Sequence, residues 1–406
     1  MRILLLHSSS DIYGASKIFL QTVQLLKRKG HHPIVVLSNV GALSIELEKA
    51  GVHVHIINLA ILRRKYFNIS GLLNRYKRWK QAVRELDYII TTHQIDMVYS
   101  NTAAVLVGAY IAKKRKLQHI WHLHEIIERP VFLHQFLAWC LRNTTHKIIV
   151  VSKAVEAHWQ DALNTATAKN PHPAPIMYQV YNGLLPMDNH ESATTTQLRT
   201  QYGIPLNALV IGMAARIHFW KGQSYFIDIA RKLLIMEAAG QLPTNNQPLY
   251  FLIAGDPFPG YEHLQVEMEK SIQQYHISDR VQYIGLIKQM DLFYHAIDVL
   301  VLPSQQPDPL PTVVLEAMQF SKPVIATAQG GALEMVIGME EAAIGASATG
   351  IFIPLQDIQV AAKKIASILI PETLHAMGVA GKQRVDNYFS AASFEKNMLQ
   401  IFESES

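Results

Sequence analysis

The sequence predicts an α/β protein of two doubly wound, Rossmann-like domains that face each other across a central cleft. Three observations carry this. The 406 residues suit two domains of ordinary size. Short apolar runs alternate with helical stretches through the first half, the pattern of a parallel sheet wrapped by helices. After a stretch rich in Thr, Asn and Pro at 161–207, which contains Pro171-His-Pro-Ala-Pro175, the alternation restarts.

The opening Met1-Arg-Ile-Leu-Leu-Leu6 is too short for the apolar segment of a secretion signal. His7 and three serines follow at once, so it reads as a first buried strand, at 3–6. Further strands are expected at 33–37, 52–57, 96–100, 119–124 and 147–151, with helices at 15–28 and 44–50 among the stretches between them. Gly30, after Lys27-Arg-Lys29, reads as a helix C-cap. Tyr181-Asn-Gly183 reads as a turn closing a first domain at 1–183. The second domain, 184–389, is expected to carry strands at 209–214, 249–254, 281–284, 299–302, 323–326 and 350–353. At the end of the chain Phe394, Met398, Ile401 and Phe402 fall at helical spacing, so a last amphipathic helix needs a surface to cover. Ligands of such sheets bind beyond the C-terminal strand ends.

Hydrophobic residues make up 49% of the chain and charged residues 17%, ordinary values for a globular protein with a large core. No apolar run reaches the ~18 residues of a spanning helix, and no tandem repeat stands out. The one cysteine, Cys140, lies in the apolar run 136–141 and reads as a small buried hydrophobe in a reducing compartment. The net charge of +5 is unevenly spread. Residues 1–183 hold 23 Lys/Arg against 10 Asp/Glu, and residues 184–406 hold 14 against 22. The excess gathers at Arg63-Arg64-Lys65, at 75–80 and at Lys113-Lys-Arg-Lys116. Such clusters are either solvated helix faces or attractors of an anionic partner: lipid head groups, nucleic acid or a phosphorylated substrate. Between 61 and 84 the bases interleave with Ile61, Leu62, Tyr66, Phe67, Leu72, Leu73, Tyr76 and Trp79. That mixture suits a membrane-surface segment, and no nucleic-acid partner is expected.

The chemistry concentrates between Gly212 and Glu334. Arg216 and Lys221 follow an expected strand that holds Gly212, and they bracket His218-Phe-Trp220 ahead of Gly222. A planar guanidinium fork and a compact ammonium together suit a diphosphate, and the helix after Gly222 adds backbone N–H groups. Alone, the two cations are also what surface charge after a strand looks like. Asp308 sits between Pro307 and Pro309 on a stiff loop, and Glu316 eight residues on lies in the first turns of a helix that Thr312 can cap. Glu316 either clamps the two hydroxyls of a ribose or complements the helix macrodipole. The loop 309–311 offers backbone N–H groups to a sugar except at its prolines, which places Leu310, Pro311 and Thr312 with the donor-binding residues. Gly330-Gly331 lets backbone approach a ligand closely, and Glu334 either caps the next turn or touches that ligand. In the first half, Tyr13-Gly14-Ala-Ser16 opens a helix, as a phosphate- or sugar-facing start or as a plain cap. His122 and His124 share one face of a strand. No third ligand completes a zinc site there, so one of them is expected to face the cleft as a hydrogen-bond donor to sugar or acceptor.

Absences narrow the choice. No G-x-G-x-x-G follows a strand, no phosphate-binding G-x-x-x-x-G-K-[ST] occurs, and no G-x-S-x-G elbow is present. No Asp-x-Asp set suits Mg²⁺ on a diphosphate, so Arg216 and Lys221 are expected to do that work without a metal.

These residues resemble the family-4 glycosyltransferases, the "glycosyl transferases group 1" family, along nearly the whole chain. The segment Gly212-Met-Ala-Ala-Arg216, with Lys221-Gly222, looks like that family's Gly-x-x-x-Arg…Lys-Gly element. Asp308 to Glu316 looks like its E-x7-E helix, and Gly330-Gly331 like the loop that follows. The resemblance implies the GT-B fold and retaining transfer of a hexosyl group from a nucleotide-diphosphate sugar, with no metal or other cofactor. It implies Arg216 and Lys221 on the diphosphate, Glu316 on the ribose and Asp308 near the donor sugar. It also implies Gly14 in a loop that touches phosphate or acceptor, and His124 beside the sugar as a catalytic-site residue. The closing segment, 390–406, resembles a helix that crosses back onto the first, acceptor-binding domain; the second domain binds the donor. Two departures stand out. The first carboxylate is Asp308 where the family has Glu, and Tyr13-Gly14 replaces the usual Gly-Gly.

The function expected is therefore a cytoplasmic, bacterial-type enzyme extending a cell-surface glycan or lipid-linked acceptor, peripheral on the inner face of the membrane. The leaving diphosphate is expected to act as the base for the incoming hydroxyl. Rival readings are a GT-B nucleotide-sugar epimerase and a non-catalytic nucleotide-sugar-binding protein of the membrane surface.

Overall fold

A computed structural model describes residues 1–12, 14–61, 66, 68–167, 175–185, 193–342 and 347–404. They divide into two compact units, Met1–Gly183 with Ala392–Ser406, and Leu184–Ala391.

The first unit runs β1 (Arg2–His7), α1 (Gly14–Arg28), β2 (His32–Leu37), α2 (Ala42–Lys49), β3 (His53–Ile56), α3 (Ile69–His93) and β4 (Met97–Asn101). It continues with α4 (Leu106–Arg115), β5 (Gln118–Leu123), α5 (Val131–Thr144), β6 (Lys147–Val150), α6 (Lys153–Thr167) and β7 (Ile176–Gln179). Among the described residues these strands form one parallel sheet in the order β3-β2-β1-β4-β5-β6-β7. β1 and β4 are direct neighbours, with Leu6 opposite Ser100 and His7 opposite Asn101. The order of the chain reverses there, and open α/β sheets bind ligands beyond such a point. Gly30 ends α1 as expected: at φ 81° it lets the His31 N–H reach the Leu26 carbonyl.

The second unit holds α7 (Ala193–Gln201), β8 (Leu209–Ala214), α8 (Gln223–Ala238), β9 (Leu249–Ala254), α9 (Glu262–Gln274), β10 (Val281–Gly285) and α10 (Met290–Ala296). Then follow β11 (Val299–Leu302), α11 (Thr312–Gln319), β12 (Val324–Thr327), α12 (Ala332–Met335), α13 (Met339–Ala342), β13 (Gly350–Ile353), α14 (Ile358–Ala366) and α15 (Pro371–Tyr388). Its parallel sheet is ordered β10-β9-β8-β11-β12-β13, so the reversal falls between β8 and β11. Nearly all residues of β1, β8 and β11 are buried, because helices cover both faces of the sheet.

The last helix, α16 (Ala391–Glu403), buries Phe394, Met398, Ile401 and Phe402 in the same cluster as Ile3, Leu5, Phe19 and Tyr99 of the first unit. Buried Lys147, at the start of β6, donates to the Ser404 carbonyl at 2.5 Å and the Ile401 carbonyl at 3.3 Å. A cation thereby meets the negative end of α16.

The α/β class and the doubly wound architecture stand as expected, with twelve of the strands within a residue or two of their expected bounds. The Thr-, Asn- and Pro-rich stretch 161–207 carries elements of its own. α6 continues to Thr167, β7 adds an edge strand, and α7 starts at Ala193. β7 carries no fully buried residue, so it lacks the apolar run that marks the central strands. Positions 171–174 of the proline-rich run lie outside the described residues, as do Tyr13, Leu62, Arg63, Arg64, Lys65 and Phe67.

Candidate functional site

At the β8–β11 junction the chain forms a compact ionic site. β8 ends at Ala214, and Arg216 and Lys221 follow on the loop to α8. Gly222 caps that helix at φ 84°; a Cβ there would strike the Pro303 carbonyl just beyond β11. The Gln305 N–H donates to the Trp220 carbonyl at 2.6 Å, which pins the two loops together. Lys221 Nζ lies 3.8 Å above the Trp220 ring and donates to Asp308 Oδ2, in an ion pair between largely buried side chains. Arg216 lies 5.5 Å over the Phe258 ring, and its carbonyl accepts from Gln223. The structure thus unites Lys221 and Asp308 from two strand ends 87 residues apart. A cavity of about 260 Å³ opens at the first turn of α8, lined by His218, Gly222, Gln223, Ser224 and Gln305 among others.

Glu316, 4% exposed, sits in the second turn of α11. Its Oε2 accepts the Tyr294 hydroxyl at 2.8 Å. Burial, then the Glu316 charge and this bond, hold the Tyr294 hydroxyl well above its ordinary pKa, so it remains a donor. The sequence reading missed Tyr294; a buried aromatic 22 residues earlier carries no local signal.

Several expected roles change. Thr312 is the first residue of α11 and not its cap. Pro311 occupies the cap in extended conformation without a side-chain bond, because it has no side-chain acceptor to offer. Gly330 and Gly331 approach backbone and not, in this structure, open space. A Cβ at Gly330, whose φ is 60°, would meet the Asp308 backbone, and one at Gly331 would meet the Pro309 carbonyl. The Gly331 N–H donates to the Asp308 carbonyl at 2.7 Å, so the pair clasps the Asp308–Leu310 loop. Gly212 lies inside β8, where a Cβ would hit Ile297 and Phe293; packing explains it. Glu334 lies inside α12, whose N-cap Gly331 has no side-chain cap bond, and its carbonyl accepts from Arg384 at 2.6 Å.

In the first unit the strand ends of β1, β4 and β5 carry a polar network. The Asn101 amide donates to His7 Nδ1 at 2.9 Å, which leaves His7 Nε2 to donate to Ser16 Oγ at 2.9 Å. Ser16 and Ser9 both donate to Asp11 Oδ1. His124 Nε2 lies 2.9 Å from Asn101 Oδ1. Burial pushes His7 down to about 4 and His122 to about 3, and His124 well below its ordinary value, so these imidazoles are neutral. A neutral His124 directs its one N–H to Asn101 Oδ1, whereas Nε2 of the neighbouring His122 is buried with no hydrogen-bond partner. The His124 ring lies 4.1 Å from that of His122, on the shared face expected from alternation. Tyr99 OH lies 2.5 Å from His122 Nδ1 and 3.2 Å from Asn101 Oδ1. Glu125 accepts from the Ala103 and His124 N–H groups, yet burial raises it to about 7. Gly14 opens α1 at φ 35°, with space around a notional Cβ. His7, Asn101 and Glu125 escaped the sequence reading; a polar residue closing an apolar strand was the available signal.

The family description "Glycosyl transferases group 1" matches residues 194–384, and "Glycosyltransferase Family 4" matches residues 12–169. The chain belongs to the family-4, group 1 glycosyltransferases. This glycosyltransferase is 23% identical to the lipopolysaccharide 1,2-N-acetylglucosaminetransferase of Salmonella typhimurium, over 80% of its own length and 78% of that protein's. It is 27% identical to the D-inositol 3-phosphate glycosyltransferase of Corynebacterium urealyticum, over 52% of its length and 46% of that protein's. Its fold is GT-B. The Anabaena HepE structure with UDP and glucose superposes with a TM-score of 0.79 at 22% identity over the whole of both chains. WaaG, a glycosyltransferase involved in lipopolysaccharide biosynthesis, does so with 0.67 at 14% identity, again over both whole chains.

Proposed function

We propose that this glycosyltransferase moves a hexosyl group from a nucleotide-diphosphate sugar to a glycan or lipid-linked acceptor in cell-surface polysaccharide or glycoconjugate biosynthesis. The Lys221–Asp308 pair at the β8–β11 switch point carries this reading. Lys221 and Arg216 offset the charge that grows on the departing diphosphate, and removing one such group typically costs about 3–4 kcal/mol of barrier. Asp308 holds the Lys221 ammonium in place and lies near the donor sugar. Glu316, oriented by Tyr294, takes the ribose hydroxyls. The second unit binds the donor and the first binds the acceptor.

The mechanism proposed is retaining and metal-independent: the diphosphate oxygen accepts the proton of the incoming hydroxyl on the face it leaves. The donor favoured first is a UDP sugar, since HepE was solved with UDP-glucose. The acceptor favoured is lipid-linked, since the Salmonella relative acts on lipopolysaccharide. A peripheral position on the inner, cytoplasmic face of the membrane has support in two helices. α3 exposes Ile69, Leu72, Leu73 and Tyr76 beside Arg75, Lys77, Arg78 and Lys80. α5 exposes Val131, Phe132, Phe136 and Trp139. The cluster at 113–116 is partly neutralised, because Lys114 and Arg115 both pair with Asp87. No helix among the described residues is long and apolar enough to cross a membrane.

The test is transfer from a panel of nucleotide sugars in EDTA, with the product anomer read by NMR. Lys221→Ala is expected to lower kcat about 100-fold to 1,000-fold. Unchanged turnover in that variant would remove the site from the mechanism, and an inverted anomer would remove the retaining step.

A further inference from the structure

Three histidines outside this site converge at the edge of the first sheet. His53 and His55 are two apart on β3, so their side chains share one face. β3 is an edge strand, paired only with β2 among the described strands. His93 is the last residue of α3 and faces both. Ring centroids are 4.5 Å apart for His53 and His55, and 5.8 Å from His93 to each. One nitrogen from each residue can be chosen so that all three lie within 4.8 Å of one another. His53 is exposed, whereas His55 and His93 are half-buried.

Ring packing alone does not account for the cluster. His55 Nε2 is buried with no hydrogen-bond partner, and a buried polar nitrogen left unpaired costs about 1–3 kcal/mol. Tetrahedral zinc at about 2.0–2.1 Å from each nitrogen needs nitrogens about 3.4 Å apart. The three nitrogens must close by up to about 1.4 Å, which takes small side-chain rotations in the cluster.

We propose that His53, His55 and His93 form a three-imidazole site for a divalent late transition-metal ion, Zn²⁺ first, that clips edge strand β3 to the end of α3. Three nitrogens and no carboxylate in the set exclude Mg²⁺ and Ca²⁺, which take oxygen ligands. The fourth position faces solvent on the His53 side and takes water. None of the three residues belongs to the Lys221–Asp308 site, so this inference and the proposed transfer reaction stand or fall separately.

The experiment uses the full chain without a histidine tag, stripped with EDTA and then dialysed to equilibrium against ZnCl₂ at neutral pH. One equivalent of Zn²⁺ bound per chain is expected, together with a rise in the unfolding temperature. His53→Ala and His93→Ala should each weaken binding by at least about 100-fold and abolish that rise. His263→Ala, on α9 of the second unit, should bind as the unaltered chain does. Circular dichroism in EDTA checks that the variants fold; if His93→Ala does not, the exposed His53→Ala decides. No bound Zn²⁺, or binding unchanged in the folded variants, overturns the proposal.

Discussion

Acidification from about pH 7 to about pH 5 is expected to weaken the first unit by at least about 3–4 kcal/mol, the balance of three buried histidines and Glu125, to which the lowered His124 and His158 add in the same direction. His7 titrates at about 4, and His119 and His122 at about 3, against 6.5 in the unfolded chain. Between those values the unfolded chain takes up a proton that the folded chain refuses, so stability falls as the pH falls. Each of the three costs about 2 kcal/mol over this interval, or about 6 kcal/mol together. Glu125 works the other way. Its pKa is raised from 4.5 to about 7, so the folded state holds the extra proton and gains about 2 kcal/mol on acidification. The net loss is a large part of the ~5–15 kcal/mol that holds a domain folded. Urea unfolding followed by tryptophan fluorescence reads it, because Trp79, Trp121, Trp139 and Trp159 lie in the first unit and Trp220 in the second. His122→Phe should flatten the pH dependence by about 2 kcal/mol, with Tyr99 keeping its bond to Asn101. A stability that holds or rises on acidification would refute the claim that these imidazoles are neutral in the folded chain.

Three further outcomes follow from the packing. Tyr294→Phe leaves the buried Glu316 carboxylate short of a donor, so it should cost about 1–3 kcal/mol in urea unfolding and raise the KM for the nucleotide sugar. Gly330→Ala forces a Cβ into the Asp308 backbone at positive φ; about 1–3 kcal/mol of stability should be lost, with weaker donor binding by calorimetry. Phe394→Ala empties a fully buried position between α16 and the first sheet and should cost about 3–5 kcal/mol, read by thermal or urea unfolding.

The central strands were legible because helices cover both faces of these parallel sheets, which makes each strand a near-continuous apolar run. β7 was not legible, since an edge strand with half-exposed residues lacks that run. The amphipathic spacing of α16 was readable from Phe394, Met398, Ile401 and Phe402, and all four are buried. Lys221 and Asp308 were readable as charges at strand ends. Their mutual pairing was not, because it depends on β8 and β11 being neighbours across 87 residues. Gly330 and Gly331 were visible as a flexible pair, but the loop they clasp appears only in three dimensions. The His7–Asn101–His124 network needs the order β1-β4-β5, and no local pattern encodes that order.

The two switch points share a position in their sheets and differ in electrostatics. The β1–β4 point is lined by neutral imidazoles, an amide and hydroxyls, with Glu125 itself held near neutrality. Desolvated groups of that kind penalise a bare charge brought among them, whereas sugar hydroxyls can exchange hydrogen bonds with them at little cost. The β8–β11 point instead carries a cation already paired with a carboxylate. A doubly charged diphosphate can compete for Lys221 there, with Arg216 adding a second positive group. The surplus positive charge of the first half sits away from its strand ends, on α3 and α4, where Arg75, Lys77, Arg78, Lys80 and Lys113 lie. In the proposed reaction the charged part of the donor therefore belongs to the second unit and the hydroxyl-rich part of the acceptor to the first. In that same proposal, an anionic group on the acceptor or its membrane would meet α3 and α4. Raising the ionic strength should then weaken donor affinity and any membrane attachment together, while affinity for an uncharged glycan acceptor holds.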